Sequence, residues 1–197
     1  MLLLAYTNQK GGHMVALPHE LTAAALAVYA ARQNKALGKI ALAGAASHWA
    51  LDLVPHIEPS SLSTLWHTDA SSQLFVAIDL VLTGAVGLLL LWKFREYSIP
   101  LVVGVFCGCI PDIFSVGPKI LGFKEFDGYL KVVNELHFQT THGWWRSWFG
   151  EIPQWWGWLL GSATTVLVGI LPATLYLSTV RVPDREPVWA PTLPGEP

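Results

Sequence analysis

The sequence predicts an all-α protein, a membrane-embedded bundle of about five helices with a weak internal two-fold repeat. Three observations predict this class. The mean hydropathy of the 197 residues is +0.42, apolar residues make up 52% of them, and charged residues make up only 13%. Soluble domains contain about 25% charged residues. The net charge of −2 argues against a nucleic-acid binder, and a total of two cysteines argues against a disulfide scaffold.

Apolar stretches define the predicted helices in chain order. The first, Leu21–Ala31, is rich in alanine and short for a membrane span, so it could be a tilted or partly buried helix that extends back to Val15. Four longer stretches have the length and composition of membrane helices: Ala36–Val54, Leu74–Trp92, Ile99–Val116 and Trp155–Thr179.

These helices are expected to form one domain over residues 1–181, in which 1–13 could be a tail. Residues 182–197 contain five prolines and several charges. That composition is typical of a disordered segment, because it offers little apolar surface to bury. We therefore expect a single membrane domain followed by a disordered, proline-rich tail.

Basic residues predict the orientation of the helices. They fall after the first, third and fifth apolar stretches, at Arg32, Lys35, Lys39, Lys93, Arg95, Arg181 and Arg185. If every stretch spans the membrane, all of these positions lie on one side, and an excess of Lys and Arg marks the cytoplasmic side. The chain is thus expected in the cytoplasmic membrane, with its N-terminus outside and its C-terminus inside.

A weak internal repeat appears when the sequence is shifted by 60 residues. His19 then aligns with Asp79, Gly44 with Gly104, and Asp52 with Asp112. Each half is a predicted helix pair with a polar residue near its start and an aspartate beside a proline near its end. Apolar segments align easily by chance, but the equal offsets of the acidic and histidine residues favour a true repeat.

The polar residues of the helices are predicted to converge on the side opposite the basic loops. Ionisable groups in a bilayer are costly, which points to a functional site. The predicted metal ligands are His19, Asp52, Asp79, Asp112, His137 and His142. An alternative for the three aspartates is an inter-helix hydrogen-bond network. Mixed carboxylates and imidazoles suit zinc first, with manganese or iron as alternatives, whereas carboxylates alone would suit magnesium.

His48, Asp52 and His56 recur every four residues and so share one helix face. Pro55 disfavours a helical conformation at the residue before it, which is expected to leave His56 in a loop. His48 and His56 are therefore secondary candidate ligands. Taken alone, His48 is more simply explained as a half-buried histidine bonded to a carbonyl group.

The segment from His137 to Gly143 is the sharpest local motif. Two histidines five residues apart need not share a helix face, and Gly143 lets the backbone approach a ligand closely. The simpler alternative is a polar loop with two incidental histidines. Thr141 and Arg146 could bind a phosphate group, and an arginine can do so through two parallel hydrogen bonds.

Together these motifs resemble the membrane-bound metal-dependent hydrolases of the LexA-binding, inner-membrane-associated type. The matching elements are Pro18-His19, Pro111-Asp112 and the run from His137 to Thr141-His142, whereas Phe138 and Gly143 stand where the family has arginine and serine. The resemblance covers about residues 16–179. It implies an all-helical fold and a more distant likeness to zinc-dependent phospholipases C, and hence phosphoester hydrolysis.

The sequence thus predicts a membrane metallohydrolase that acts on a phosphoester, such as a lipid headgroup, at a site on the non-cytoplasmic side. Asp52, Asp112 and His142 are the predicted catalytic residues, and membrane lipids and a small phosphoester substrate are the expected partners. Bound metal would lower the pKa of a water molecule to give a nucleophile near neutral pH. The alternatives are a small transporter that uses the intramembrane acids and a non-enzymatic binding protein.

Overall fold

The computed structural model describes residues 16–54, 69–121 and 154–181, together with the helical positions 128, 129, 132, 136 and 140. Within these ranges the chain is helical apart from short turns, and no strand occurs there. The all-α prediction is therefore confirmed, and the helices number five when continuous segments are counted together. Embedding in a membrane is not shown by this fold.

The helices follow the predicted stretches closely. They are α1 (Ala16–Arg32), α2 (Leu37–Asp52), α3 (Asp69–Lys93), a short 3₁₀ turn (Arg95–Tyr97), α4 (Ser98–Leu121), α5 (Gln154–Thr164), a π-helical segment (Thr165–Ile170) and α6 (Leu171–Thr179). The last three run on without a break. Helix α2 ends three residues before Pro55, as expected from the restriction that a proline places on the residue before it.

Helix α1 lies at the centre of the bundle. It packs against α2, α3, α4, the π-helical segment and α6. Its alanines leave room for close neighbours on several sides, and Ala23, Ala24, Ala27 and Val28 are almost completely buried. The main apolar cluster joins this helix to residues of α3, α4 and α6, including Leu90, Phe94, Leu101, Ala173 and Leu177. The short first stretch is therefore the core helix of the fold.

Helices α2 and α4 cross at glycines, where their backbones nearly touch. A Cβ atom at Gly44 would overlap the carbonyl oxygen of Gly104, and one at Gly108 would lie 2.6 Å from the Cβ of Ala23. Only glycine permits such an approach. Gly44 and Gly104 are also a pair that the shift of 60 residues aligns.

One face of the last helix is buried against α1. Along it, the buried positions Thr165, Gly169, Ala173 and Leu177 recur every four residues. Gly169 lies against Pro18, and its carbonyl oxygen accepts a hydrogen bond of 3.1 Å from the Thr22 hydroxyl group. The π-helical segment therefore packs on the first turn of α1.

One end of the bundle gathers the C-terminal ends of α1, α3 and α6. Lys93 Nζ donates a 2.9 Å hydrogen bond to the carbonyl oxygen of Leu177, and the rings of Tyr29 and Tyr176 meet edge to face with centroids 6.1 Å apart. Arg32 and Lys93 lie at this end of the bundle. Both belong to the set of basic residues that the sequence analysis assigns to one side of the membrane. The start of α1 and the end of α2 lie away from it.

Helix length and composition identify one candidate membrane span among the described residues, Leu159–Thr179. A second would be counted if α3 and α4, which meet at an angle of 100°, formed one broken span over Ala77–Lys93 and Arg95–Pro111. One or two such helices are weak evidence for a membrane protein. The predicted set of membrane spans is therefore not established by the fold.

We expect Gly44→Ala to destabilise the protein by about 1–3 kcal/mol, because the added methyl group must push the backbones of α2 and α4 apart. The measurement is chemical unfolding followed by helical circular dichroism. Gly84→Ala is the matched control, since a Cβ atom at Gly84 meets nothing within 4 Å and alanine favours a helix by about 1 kcal/mol. Equal stability of both variants would contradict the glycine crossing.

Candidate metal centre

Three metal-binding side chains meet inside the bundle: His19 from the first turn of α1, and His48 and Asp52 from the last turns of α2. Each is at most 1% exposed. The imidazole and carboxylate atoms that could serve as ligands all lie within 4.8 Å of one another. This buried His-His-Asp group could bind a metal ion.

The carboxylate of Asp52 lies beside the stacked imidazole rings, with one oxygen near the Nε2 atom of each ring. His19 Nε2 is 3.3 Å from Asp52 Oδ1, and His48 Nε2 is 3.2 Å from Asp52 Oδ2. The two rings stack with centroids 4.1 Å apart and planes inclined by 24°. The three polar side chains therefore form one contiguous buried group.

The backbone of α4 fixes the orientation of the His48 ring. His48 Nδ1 lies 2.9 Å from the carbonyl oxygen of Gly108. A carbonyl oxygen only accepts hydrogen bonds, so Nδ1 carries the proton and donates it. In the neutral ring, Nε2 then presents a lone pair towards the carboxylate of Asp52. A proton or a metal cation between these two atoms would relieve their repulsion.

The position of Asp52 on its helix also favours a cation. It is the last residue of α2, where the partial charge of the helix end is negative. A carboxylate at that end is disfavoured by about 0.3–1 kcal/mol. His19 is buried as well, and its Nδ1 atom has no hydrogen-bond partner among the described residues. A bound cation would compensate for the buried negative charge.

The donor set suits a transition metal. Ligand atoms around tetrahedral zinc, at about 2.0–2.1 Å from the ion, are on the order of 3.4 Å apart. The imidazole-to-carboxylate distances of 3.3 and 3.2 Å end on different oxygens of Asp52, and one ligand atom from each of the three residues lies within 4.8 Å of the others. Two imidazoles and one carboxylate suit zinc, manganese or iron, and three protein ligands leave a coordination position for water or substrate. The identity of the metal is not determined by this geometry.

Asp79 was predicted as a metal ligand, but in the structure its carboxylate contacts the backbone at the start of α1. Its carboxylate accepts hydrogen bonds from the backbone N–H groups of Ala16, at 2.7 Å, and Leu17, at 3.3 Å. A carboxylate at a helix N-terminus satisfies unpaired N–H groups and complements the positive end of the helix. Asp79 thus ties α3 to the start of α1, one turn from His19, and does not join the buried His-His-Asp group.

The remaining predicted site residues lie outside this group or outside the described residues. Asp112 belongs to α4, one turn beyond Gly108, and its side chain is outside the described part of the chain. Also outside it are His56, His137, Thr141, His142 and Arg146. Their predicted roles as ligands, catalytic residues or phosphate-binding residues stay predictions.

His48 and Glu20 are the two residues that sequence reasoning weighed too lightly or missed. The spacing of four residues between His48 and Asp52 indicated a shared face, but only the approach of Gly108 shows how the ring is held. Glu20 is 3% exposed within the bundle. Its position in an alanine-rich helix, next to His19, was the available signal.

Comparison of the chain with protein-family models, with curated proteins and with solved structures found no match. The resemblance to metal-dependent hydrolases therefore stays a prediction that rests on the sequence motifs.

We expect Asp79→Ala to destabilise the protein by about 1 kcal/mol, because two N–H groups at the start of α1 lose their acceptor. Asp79→Asn should retain most of the stability, since an amide oxygen still accepts these bonds. Both are measured by chemical unfolding. Metal content should be unchanged in Asp79→Asn, and its loss would show that Asp79 is a ligand after all.

Proposed function

We propose that this protein is a membrane-embedded, metal-dependent hydrolase that cleaves a phosphoester with a water molecule activated by the metal. The observation that carries the proposal is the buried His-His-Asp group, in which Asp52 lies 3.3 Å from His19 and 3.2 Å from His48. Zinc is the proposed metal. Lipid headgroups or similar small phosphoesters are the proposed substrates, and no nucleic acid is expected as a partner.

Each residue of the group has a distinct part in this proposal. His19 and His48 would hold the metal through Nε2, and Asp52 would supply the negatively charged ligand. Gly108 keeps the His48 ring in place by accepting the proton of Nδ1, a role that carbonyl groups often play next to metal-binding histidines. A zinc ion bound there would lower the pKa of water and stabilise the negative charge that develops on the phosphoryl oxygens.

Catalysis also requires a proton acceptor and phosphate-binding groups. Asp112 and His142 are proposed for proton transfer, and Thr141 and Arg146 for the phosphate. Asp112 would lie on the same helix as Gly108, which places its backbone one turn from the contact with His48. For the other three residues the proposal rests on the sequence motif alone.

Exposed apolar side chains support a location in the membrane. Helix α3 exposes a row of large residues that includes Leu80, Val81, Leu88, Leu89 and Trp92, and α6 exposes Leu171 and Leu175. Contiguous apolar surface of this kind marks a membrane or a protein interface. The basic residues at the common end of α1, α3 and α6 fit an orientation with that end in the cytoplasm and the His-His-Asp group towards the other side.

A transporter or a non-enzymatic binding protein remains the alternative, because both could use buried acids and a metal-free histidine–aspartate group. The contact of Asp79 with the start of α1 weakens the transporter hypothesis, since it accounts for one of the two acids on which that hypothesis relied. Metal binding without hydrolysis would favour the binding protein.

Metal analysis tests the proposed site. We expect the purified protein to bind about one zinc ion per chain, and Asp52→Asn to retain less than about a tenth of it because the charged ligand is lost. Cobalt substitution provides a second readout, since its visible spectrum reports the ligands directly. Ser47→Ala is the matched control: Ser47 is buried beside His48 and bonds to the Gly44 carbonyl oxygen, so its loss should leave metal binding intact.

Two results would overturn the proposed site. One is a wild-type protein that takes up no zinc, manganese or iron when each is supplied. The other is an unchanged metal content and cobalt spectrum in both Asp52→Asn and His19→Asn. The reaction itself is tested with bis(4-nitrophenyl) phosphate, whose hydrolysis should be lost on chelation and restored by the metal. Hydrolysis that persists in the chelated protein would contradict a metal-dependent reaction.

Cysteine labelling in intact cells tests the location and orientation. In a variant without Cys107 and Cys109, a cysteine at Leu53 should react with a membrane-impermeant reagent, because the end of α2 is expected outside. A cysteine at Lys35 should react only after the cells are permeabilised. The opposite pattern would reverse the orientation, and full release of the protein by alkaline washing would exclude an integral membrane protein.

A further inference from the structure

A second candidate site adjoins Glu20, the residue that follows His19 in α1. A groove of about 270 Å³ opens between α3 and α4, with Glu20 among its lining residues. Its walls are otherwise apolar or weakly polar and include Leu90, Leu101, Val105 and Phe106. This volume is slightly below the range of about 300–1,000 Å³ found for small-molecule sites, which favours a small, largely apolar ligand.

Glu20 supplies the polar group of this groove. It is 3% exposed, and its Oε2 atom has no hydrogen-bond partner among the described residues. Gly87 makes room for the carboxylate, because a Cβ atom there would lie 2.5 Å from Glu20 Oε1. A buried carboxylate without a partner is strongly disfavoured, so a ligand that supplies one would be stabilised.

The charges around Glu20 determine which class of ligand could bind in the groove. Asp79, whose carboxylate bonds to the first N–H groups of α1, is a second acid at the same part of that helix. Among the described residues that line the groove none is cationic, and Lys93, on the same helix as Gly87, already donates to the carbonyl oxygen of Leu177. A ligand carboxylate would be repelled by both acids. An alcohol could donate one hydrogen bond but could not neutralise the charge.

We propose that this groove binds a lipophilic primary amine, whose apolar chain lies against α3 and α4 and whose ammonium group donates to the Glu20 carboxylate. Phe106 also lines the groove and adds to its apolar surface. The proposed site is distinct from the His-His-Asp group, because His19 contacts α2 whereas Glu20 lies against Gly87 of α3.

Calorimetric titration with three probes of equal chain length tests the proposal: octylamine, octanol and octanoate, each corrected with a protein-free blank of the same detergent. We expect octylamine to bind at least tenfold more tightly than octanol, and octanoate more weakly than either. Glu20→Gln should abolish the preference for the amine and leave octanol binding unchanged, since the apolar walls are retained.

Gly87→Ala provides a second variant in which the carboxylate remains but is displaced by the new methyl group, and it should also weaken octylamine binding. Gly84→Ala, on the same helix with open space around it, is the matched control and should bind as the wild type does. Circular dichroism verifies that each variant is folded. Equal affinity for octylamine and octanol, tighter binding of octanoate, or an undiminished amine preference in Glu20→Gln would each overturn the proposal.

Discussion

The close crossing of α2 and α4 at glycines is the constraint on which the rest of the molecule depends. Because Gly44 and Gly104 carry no side chains, the two backbones approach closely enough for the carbonyl oxygen of Gly108 to accept the proton of His48 Nδ1. That bond turns Nε2 towards Asp52, whose carboxylate contacts the Nε2 atoms of both imidazoles. Backbone packing, rather than a loop, therefore orients the buried polar group, which gives it the rigidity that a metal centre requires.

The central position of α1 connects the two polar features of the protein. Neighbouring residues of one helix turn point in different directions, so His19 faces α2 while Glu20 lies in the groove at Gly87. Asp79 holds the start of this same helix by accepting two of its N–H bonds. His19 and Glu20 therefore both depend on the position of α1 in the bundle.

Much of the fold could be predicted from the sequence, because apolar runs of this length leave few alternatives to helices. The five stretches, the early end of α2 before Pro55, and the extension of the first helix towards Val15 all correspond to helices of the structure. His19 and Asp52 both belonged to the predicted set of six ligands. Membrane embedding could not be derived in the same way, because a buried core helix and a membrane helix have the same composition; α1 is the core helix here.

The features of the site that could not be predicted are contacts between residues of different helices. A bond from His48 to a carbonyl group was the simpler prediction and is present, but the sequence did not indicate that its partner is Gly108, 60 residues away. Asp79 was predicted as a ligand from its residue type and its place in an apolar helix, yet its carboxylate bonds to the backbone of α1. Spacing along one helix identifies a shared face, but it does not reveal which atoms of another helix meet that face.

The π-helical segment has a geometric consequence for the last helix. In an α-helix with 3.6 residues per turn, residues four apart drift around the axis by about 40° at each step. A π-turn contains more residues, so its rotation lags and offsets part of that drift. The stripe from Thr165 through Gly169, Ala173 and Leu177 therefore stays in line with α1 over a longer distance than uniform winding would permit. The π-helical segment thus keeps these four residues on the side of the last helix that faces α1.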